Sequence, residues 1–294
     1  MIDILLDPFR YAFFVKGLVV ATLAGGLCGL VGVYITLRGM SYIGHGLSHA
    51  IFGGFAASSL IGLNYYLGAG IWGLASALAI NRVSRNRRIG ADAAIGVITT
   101  ASFALGVALL TVFGNKGPSF DAALFGSIIG VSTADVWALV AIGVFTVAVV
   151  LARYRELLFA TFDPEVADVS GVRVARTDAL LMLVLSLSIL ATLTVIGVTL
   201  VAATLVIPPV VARMLSHRFS RMLWLATAIG AGGGFVGMTL SYHLDVPSGT
   251  MIVLVGAVLF GIVLAATGGR RLRRTVDLGA AVGPAPVAPP AAPR

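Results

Sequence analysis

Nine apolar runs dominate this sequence and exclude an ordinary soluble fold. Charged residues make up 11% of its 294 positions, whereas a soluble domain carries about 25%, and the mean hydropathy is +1.02. Most runs are continuous over about 17 residues or more, which is the length of a membrane-crossing helix, whereas the strands of a membrane barrel alternate over about ten residues. The sequence therefore predicts an all-α, polytopic helical membrane protein.

The apolar runs define the predicted spans and the domain boundaries. They are Gly17–Leu37, Leu47–Leu63, Tyr65–Ile80, Ala93–Phe113, Val136–Ala152, Asp178–Ile196, Val198–Val211, Leu223–Tyr242 and Ser248–Thr267. Because the seventh run is short, we predict eight or nine transmembrane helices; the piece 122–129 is too short to cross and is predicted as a surface or re-entrant helix. The transmembrane domain is residues 17–267. A short N-terminal segment (1–16) precedes it, and a basic, then Ala/Pro-rich tail (268–294), predicted to be disordered, follows it.

The arginines predict the orientation of the chain. They are concentrated in the gaps after the odd-numbered runs, whereas the gaps after the even-numbered runs hold almost none. Positively charged loops stay on the cytoplasmic side of the membrane. We therefore expect a cytoplasmic C-terminus and, if all nine runs cross, an external N-terminus. The net charge of +8 reflects this topology, and we expect no nucleic-acid partner.

Two histidines at the start of the second run are the candidate metal ligands. His45 and His49 are four residues apart and share one face of a helix, with Ser41, Ser48 and Phe52 close to the same stripe. An ionisable residue inside a membrane is expensive and is a functional candidate by default, and neutral imidazole is the commonest side-chain metal ligand. The pair predicts a metal site, and hydrogen bonding to a neighbouring helix is the alternative.

Several other chemistries are absent from the sequence. It has no Gly-x-x-x-x-Gly-Lys-Ser/Thr loop and therefore does not bind ATP in that way. Its acidic residues avoid the middle of the runs: Asp92, Asp135, Asp178 and Asp245 lie at the ends. An ion-coupled secondary transporter usually keeps a carboxylate at mid-membrane, so this pattern disfavours that class. The single cysteine, Cys28, excludes an internal disulfide and a multi-cysteine zinc site.

Seven segments in chain order resemble the membrane (permease) subunit of the metal-type ABC importers for zinc, manganese and iron. They are Arg38–Gly54, Asp92–Val97, Phe103–Gly106, Phe162–Ala167, Gly197–Arg213, Leu240–Asp245 and Pro247–Val255. The resemblance implies a homodimeric permease in a bacterial plasma membrane, in contact with membrane lipid. It also implies a cytoplasmic ABC ATPase on each protomer and an external solute-binding protein that delivers the ion. ATP hydrolysis would then occur on a separate chain, and the divalent metal ion would be cargo rather than a permanently bound cofactor.

One position departs from the family pattern. Most members have Gly-Asp-Ala-Leu-Ser-His where this chain has Gly44-His45-Gly-Leu-Ser-His49. The resemblance implies that the aspartate and the second histidine are the intramembrane cation ligands, so both positions are imidazoles here, with two of each in a dimer. Imidazole in place of carboxylate moves a site away from manganese and towards zinc, iron(II) or copper. We expect zinc first.

The longest polar gap, residues 153–176, is the candidate coupling segment. The resemblance implies that its part around 157–171 docks into the ATPase, with Phe162, Asp163, Glu165 and Asp168 as the coupling residues. An amphipathic helix lying on the membrane is the alternative. Asp163 followed by proline predicts a helix start, because aspartate caps helices and proline suits their first turn.

Three functions are compatible with the sequence. The favoured one is the permease subunit of an ATP-driven divalent metal ion importer. The others are a secondary metal transporter without an ATPase and an ABC permease for a metal chelate. Dependence on ATP in reconstituted vesicles separates the first two, and competition between free zinc and a chelate separates the first from the third.

Overall fold

The fold is helical throughout the part of the chain that the computed structural model describes, residues 7–63, 65–84, 90–113 and 131–281. A short 3-10 turn, Asp7–Arg10, comes first. The α-helices of these ranges are α1 (Ala12–Leu37), α2 (Tyr42–Ile61), α3 (Tyr65–Ser84), α4 (Ala91–Phe113), α5 (Thr133–Ala152), α6 (Tyr154–Phe162), α7 (Pro164–Val169), α8 (Val174–Ile196), α9 (Val201–Leu215), α10 (Phe219–Leu244) and α11 (Ser248–Ala281).

The predicted membrane class is confirmed by the lengths of these helices. Six of them in the described part of the chain, α1, α4, α5, α8, α10 and α11, are long and apolar enough to cross a membrane by length and composition. Helices α2 and α3 overlap the second and third predicted runs. The short piece at 122–129 and the arginines at 85, 87 and 88 lie outside the described residues. The total of eight or nine spans stays a prediction.

Helix α9 differs from the predicted seventh run. The predicted run is Val198–Val211, whereas the helix extends from Val201 through Pro208 and Pro209 to Leu215. Prolines inside a helix remove two backbone hydrogen bonds and are tolerated in membranes where neighbouring helices support the backbone. Here the Leu205 carbonyl packs directly against Gly32 of α1, where a Cβ atom would overlap it. With 15 residues, α9 is about 22 Å long, shorter than a bilayer core of about 30 Å.

Helix α1 is the central packing element, and α10 is the helix that it contacts most extensively. Gly25 of α1 and Gly230 of α10 face each other so closely that a Cβ atom on either would overlap the other's carbonyl oxygen. Gly29 lies in the same way against the Ala226 carbonyl. Small residues allow such backbone approach between membrane helices. The glycines of α1 therefore form its packing face against α10.

The first and last helices extend beyond the predicted runs. Helix α1 begins at Ala12, five residues before the predicted start, and its Phe14 is fully buried. Helix α11 continues to Ala281, past the predicted end at Thr267. The remainder of the predicted disordered tail, residues 282–294, lies outside the described residues. Between α8 and α9, Gly197 has a φ of +82°, as expected for the tight reversal that its position suggests.

Candidate metal site

Helix α2 brings the two candidate ligands together, as the four-residue spacing predicts. The imidazole centroids of His45 and His49 are 4.4 Å apart, with an angle of 50° between the rings. His45 is exposed and His49 is half-buried. The prediction that both share one face is confirmed, and that face points away from the core of the protomer.

The backbone of α2 orients the His49 ring. Its Nδ1 lies 3.0 Å from the carbonyl oxygen of His45. A proton on Nδ1 makes this a hydrogen bond in which the ring donates, and Nε2 then keeps its lone pair for a metal ion. Residues around metal sites commonly fix the ligand tautomer in this way. The geometry therefore suits His49 as a neutral Nε2 ligand.

The residues beside the histidines are not arranged as the sequence suggested. Ser48 is fully buried, and its Oγ lies 2.8 Å from the carbonyl oxygens of both His45 and Val198. It therefore faces the turn between α8 and α9 rather than the outward stripe. Phe52 is buried as well. The outward neighbour of His49 is instead Phe103 of α4, whose ring centroid is 4.9 Å away.

Close packing against α4 holds α2 in place. A Cβ atom on Gly46 would meet the side chains of Ile95 and Thr99 at under 3 Å. Further along, Gly53 lies against the carbonyl oxygen of Ser102, and the Ser102 Oγ donates to the Ala50 carbonyl oxygen at 3.0 Å. These contacts fix the position of α2. Its two imidazoles lie beside the contact with α4, where Phe103 packs against His49 and His45 stays exposed to a partner.

One protomer supplies only part of a metal coordination shell. Among the described residues, no group of three or more His, Cys, Asp and Glu side chains could hold an ion. His45 and His49 offer two nitrogen ligands, whereas zinc prefers four ligands in a tetrahedron. The remaining ligands would come from outside the described residues of one protomer, for example from water or from another molecule.

The candidate coupling segment forms two short helices that meet at Asp163. The Asp163 Oδ1 accepts a hydrogen bond of 2.9 Å from the Val166 backbone N–H, and Pro164 is the first residue of α7. The predicted cap is therefore confirmed. The side chain of Phe162 is 61% exposed, and its ring also contacts Phe219 of α10 edge-on at 5.9 Å.

The outer surface of this segment combines acidic and apolar side chains. Glu165 and Asp168 are exposed, and Val166 and Val169 are 50% and 92% exposed. The four predicted coupling residues are thus all exposed within one strip of seven consecutive residues, 162–168.

Arg38 connects the two candidate regions. In the sequence this residue is only the first of the segment Arg38–Gly54 and shows no such role. Its Nη1 donates to Asp178 Oδ1 at 2.6 Å, and its Nε donates to Thr161 Oγ1 at 3.2 Å. The side chains of Arg38 and Asp178 are only 11% and 17% exposed. One guanidinium therefore joins the end of α1, which leads into α2, to α6 and α8.

Comparison with known proteins agrees with this geometry. The model of the ABC 3 transport family matches residues 10–267. The chain is 40% identical over 252 residues to the manganese transport system membrane protein MntC of Halalkalibacterium halodurans, covering 86% of each chain. It is 33% identical over 250 residues to the manganese import system permease protein ScaB of Streptococcus gordonii, covering 85% of this chain and 90% of that protein.

A solved structure supports the same relationship. It is PsaBC from Streptococcus pneumoniae in complex with Fab, to which the chain is similar with a TM-score of 0.82 and 30% sequence identity. The match covers 90% of this chain and 95% of that one. The similarity extends over nearly all of the described helices.

Proposed function

The chain belongs to the ABC 3 transport family, and from that premise we propose that His45 and His49 bind the transported metal ion. The chain is the multi-pass permease subunit of an ATP-driven importer of divalent metal ions in the plasma membrane. ATP hydrolysis takes place on a separate ATPase chain, a solute-binding protein is the other partner, and the chain itself is not an enzyme. A secondary transporter is not favoured. The observation that carries the proposal is the pair of imidazoles 4.4 Å apart on the open face of α2.

The incomplete coordination shell supports a homodimer with the pathway on its two-fold axis. In a symmetric dimer the same patch occurs on both sides of the interface. If the open faces of α2 meet, His45 and His49 of both protomers supply four nitrogen ligands, which is the number that zinc prefers. Four neutral imidazoles also suit a bare ion better than a chelate, because a chelate already fills most of the coordination sphere of its metal.

Cysteine crosslinking tests this dimer. Ser41 is partly exposed at the end of the histidine face, so Ser41→Cys in a Cys28→Ala background should crosslink between protomers with a short bismaleimide. Ser48→Cys is the matched control, because Ser48 is fully buried within the protomer and should not react. Crosslinked dimers are counted on denaturing gels. Crosslinking at position 48 but not at position 41 would show that another face of α2 lies at the interface.

The metal preference follows from the ligand chemistry. The relatives described above are named for manganese, but the imidazole at position 45 favours ions later in the divalent series. We propose zinc as the preferred cargo, with iron(II) as an alternative that suits the same ligands. Manganese is the candidate that the names of the relatives indicate. Comparing zinc and manganese uptake by wild type and by His45→Asp distinguishes these two cargoes.

The strip of Phe162, Asp163, Glu165 and Asp168 is proposed as the surface that contacts the ATPase. Its support is the exposure of acidic and apolar side chains on a segment that the Arg38 contacts tie to α1 and α8. This surface then lies on the cytoplasmic side, together with the C-terminus, in agreement with the arginine distribution. Movement of the segment could reach α2 through Arg38.

Asp163→Ala should weaken coupling to the ATPase. The substitution removes the cap of α7, which typically costs about 1 kcal/mol of helix stability, and with it the fixed position of Glu165 and Asp168. We expect lower metal-stimulated ATP hydrolysis and weaker ATPase co-purification, with metal binding to the solute-binding protein unchanged. Asp163→Asn is the matched control, because asparagine caps equally well. Normal stimulation and normal uptake in Asp163→Ala would remove this segment from the coupling role.

A further inference from the structure

A polar cleft lies beside the coupling strip, between the α5–α6 junction and the start of α8. Its volume is about 560 Å³, and Arg153, Arg173, Arg176, Thr177 and Leu180 are among the residues that line it. It is separate from the histidine face and from the four proposed coupling residues, none of which lines it. The transport mechanism described above assigns it no role.

The cleft carries an excess of positive charge. Arg153 is neutralised by Glu156, whose two carboxylate oxygens accept hydrogen bonds of 2.9 Å from the Arg153 Nη1. Arg173 and Arg176 are exposed, and neither forms an ion pair with any described residue. Two guanidinium groups thus border one cavity without a carboxylate partner in the described ranges. Guanidinium groups bind phosphate through paired, charge-assisted hydrogen bonds.

The position of the cleft along the helices matches the level of lipid headgroups. Helix α5 ends at Ala152, and α8 begins at Val174; both are long and apolar enough to cross the membrane. The arginines therefore lie where these helices leave the apolar layer. Leu180 extends the lining by almost two turns into α8, so the cleft is polar at its outer end and apolar towards the membrane. Basic pockets between membrane helices on the cytoplasmic side bind the headgroups of anionic lipids.

We propose that this cleft binds an anionic phospholipid, with its phosphate between Arg173 and Arg176 and its glycerol and first acyl carbons against Leu180. An acidic side chain of the ATPase would also match the arginines, but it would not account for the apolar inner end. A free phosphate ion would match the charge only. A lipid bound here would contact the segment 170–176 that connects α7 to α8, and would thus stabilise the proposed coupling segment.

The test measures lipid binding directly and is independent of transport. Full-length permease in complex with its ATPase is purified in detergent, and the binding of phosphatidylglycerol, phosphatidylcholine and inorganic phosphate is measured by native mass spectrometry. The variant is Arg173→Gln with Arg176→Gln. The control is Arg218→Gln with Arg221→Gln, which removes the same charge from exposed arginines on the same side of the molecule but outside the cleft.

We expect wild type to prefer phosphatidylglycerol over phosphatidylcholine. The cleft variant should bind phosphatidylglycerol about 25-fold more weakly, since each of the two arginines near an anionic lipid contributes roughly fivefold. The control should change by less than about twofold. Equal loss in both double variants would show general charge attraction and overturn the proposal. Displacement of the lipid by inorganic phosphate at equal concentration would also overturn the proposal, because it would show that the cleft binds phosphate alone. If the cleft variant loses its ATPase but keeps its lipid, the cleft is an ATPase contact instead.

Discussion

His49→Ala should abolish metal uptake. The substitution removes one ligand per protomer and hence two of the four nitrogen ligands of the proposed dimeric site, and the remaining pair cannot complete a tetrahedral shell without water. We expect a loss larger than the roughly 100-fold that follows when a metal ligand loses only its hydrogen-bond partner. Uptake of radiolabelled zinc and manganese is measured at matched expression in cells that lack other importers.

The control for this experiment is His217→Ala, the same substitution at an exposed histidine in the turn between α9 and α10. It should transport at the wild-type rate. If His49→Ala does so as well, these imidazoles serve packing or hydrogen bonding and the proposed metal site is refuted. Co-purification of the ATPase with His49→Ala shows that the variant is folded and assembled.

The same assay with His45→Asp separates the ligand roles of the two histidines. Aspartate restores the common family pattern and should keep transport while shifting the preference towards manganese, the harder ion. Because imidazole binds metal only when deprotonated, wild-type uptake should also fall as the pathway is acidified. An unchanged ratio of zinc to manganese uptake in His45→Asp would show that His45 does not determine selectivity.

Arg38→Ala should destabilise the protein strongly. The guanidinium is largely buried with Asp178, and it also bonds Thr161. Removing one partner of a buried ion pair costs about 3–5 kcal/mol, because the other charge remains in a poorly solvated position. We expect a clear decrease in the thermal unfolding midpoint in detergent. Arg38→Lys should recover only part of the loss, since lysine cannot reproduce the forked contacts to Asp178 and Thr161.

The matched control is Arg153→Ala, which breaks a second arginine–carboxylate pair among the described residues, the one with Glu156. The side chains of Arg153 and Glu156 are 54% and 39% exposed, and an exposed pair contributes about 0–1 kcal/mol to stability. The double variant Arg38→Ala with Asp178→Ala should be less destabilised than the sum of the single variants, because both substitutions remove the same contact. Equal unfolding midpoints for Arg38→Ala and Arg153→Ala would contradict the structural role of the Arg38 contacts.

The sequence alone established the membrane class, the approximate positions of the apolar helices and the candidate metal ligands. Continuous apolar runs can satisfy their backbone hydrogen bonds in a membrane only as helices, and helical geometry alone brings His45 and His49 to one face. The cap at Asp163 was likewise predictable, because it depends on a side chain and a backbone amide three residues apart. All of these features are local along the chain.

The side chains that surround the candidate sites are set by how the helices pack, which the sequence analysis could not give. Ser48 faces Val198, Phe103 covers His49, and Arg38 reaches Asp178 across 140 positions of sequence. Helix α9 continues through two prolines because neighbouring α1 accommodates its free Leu205 carbonyl. Such contacts depend on how separate helices pack, and packing between distant segments leaves no periodic signal in the sequence of either one.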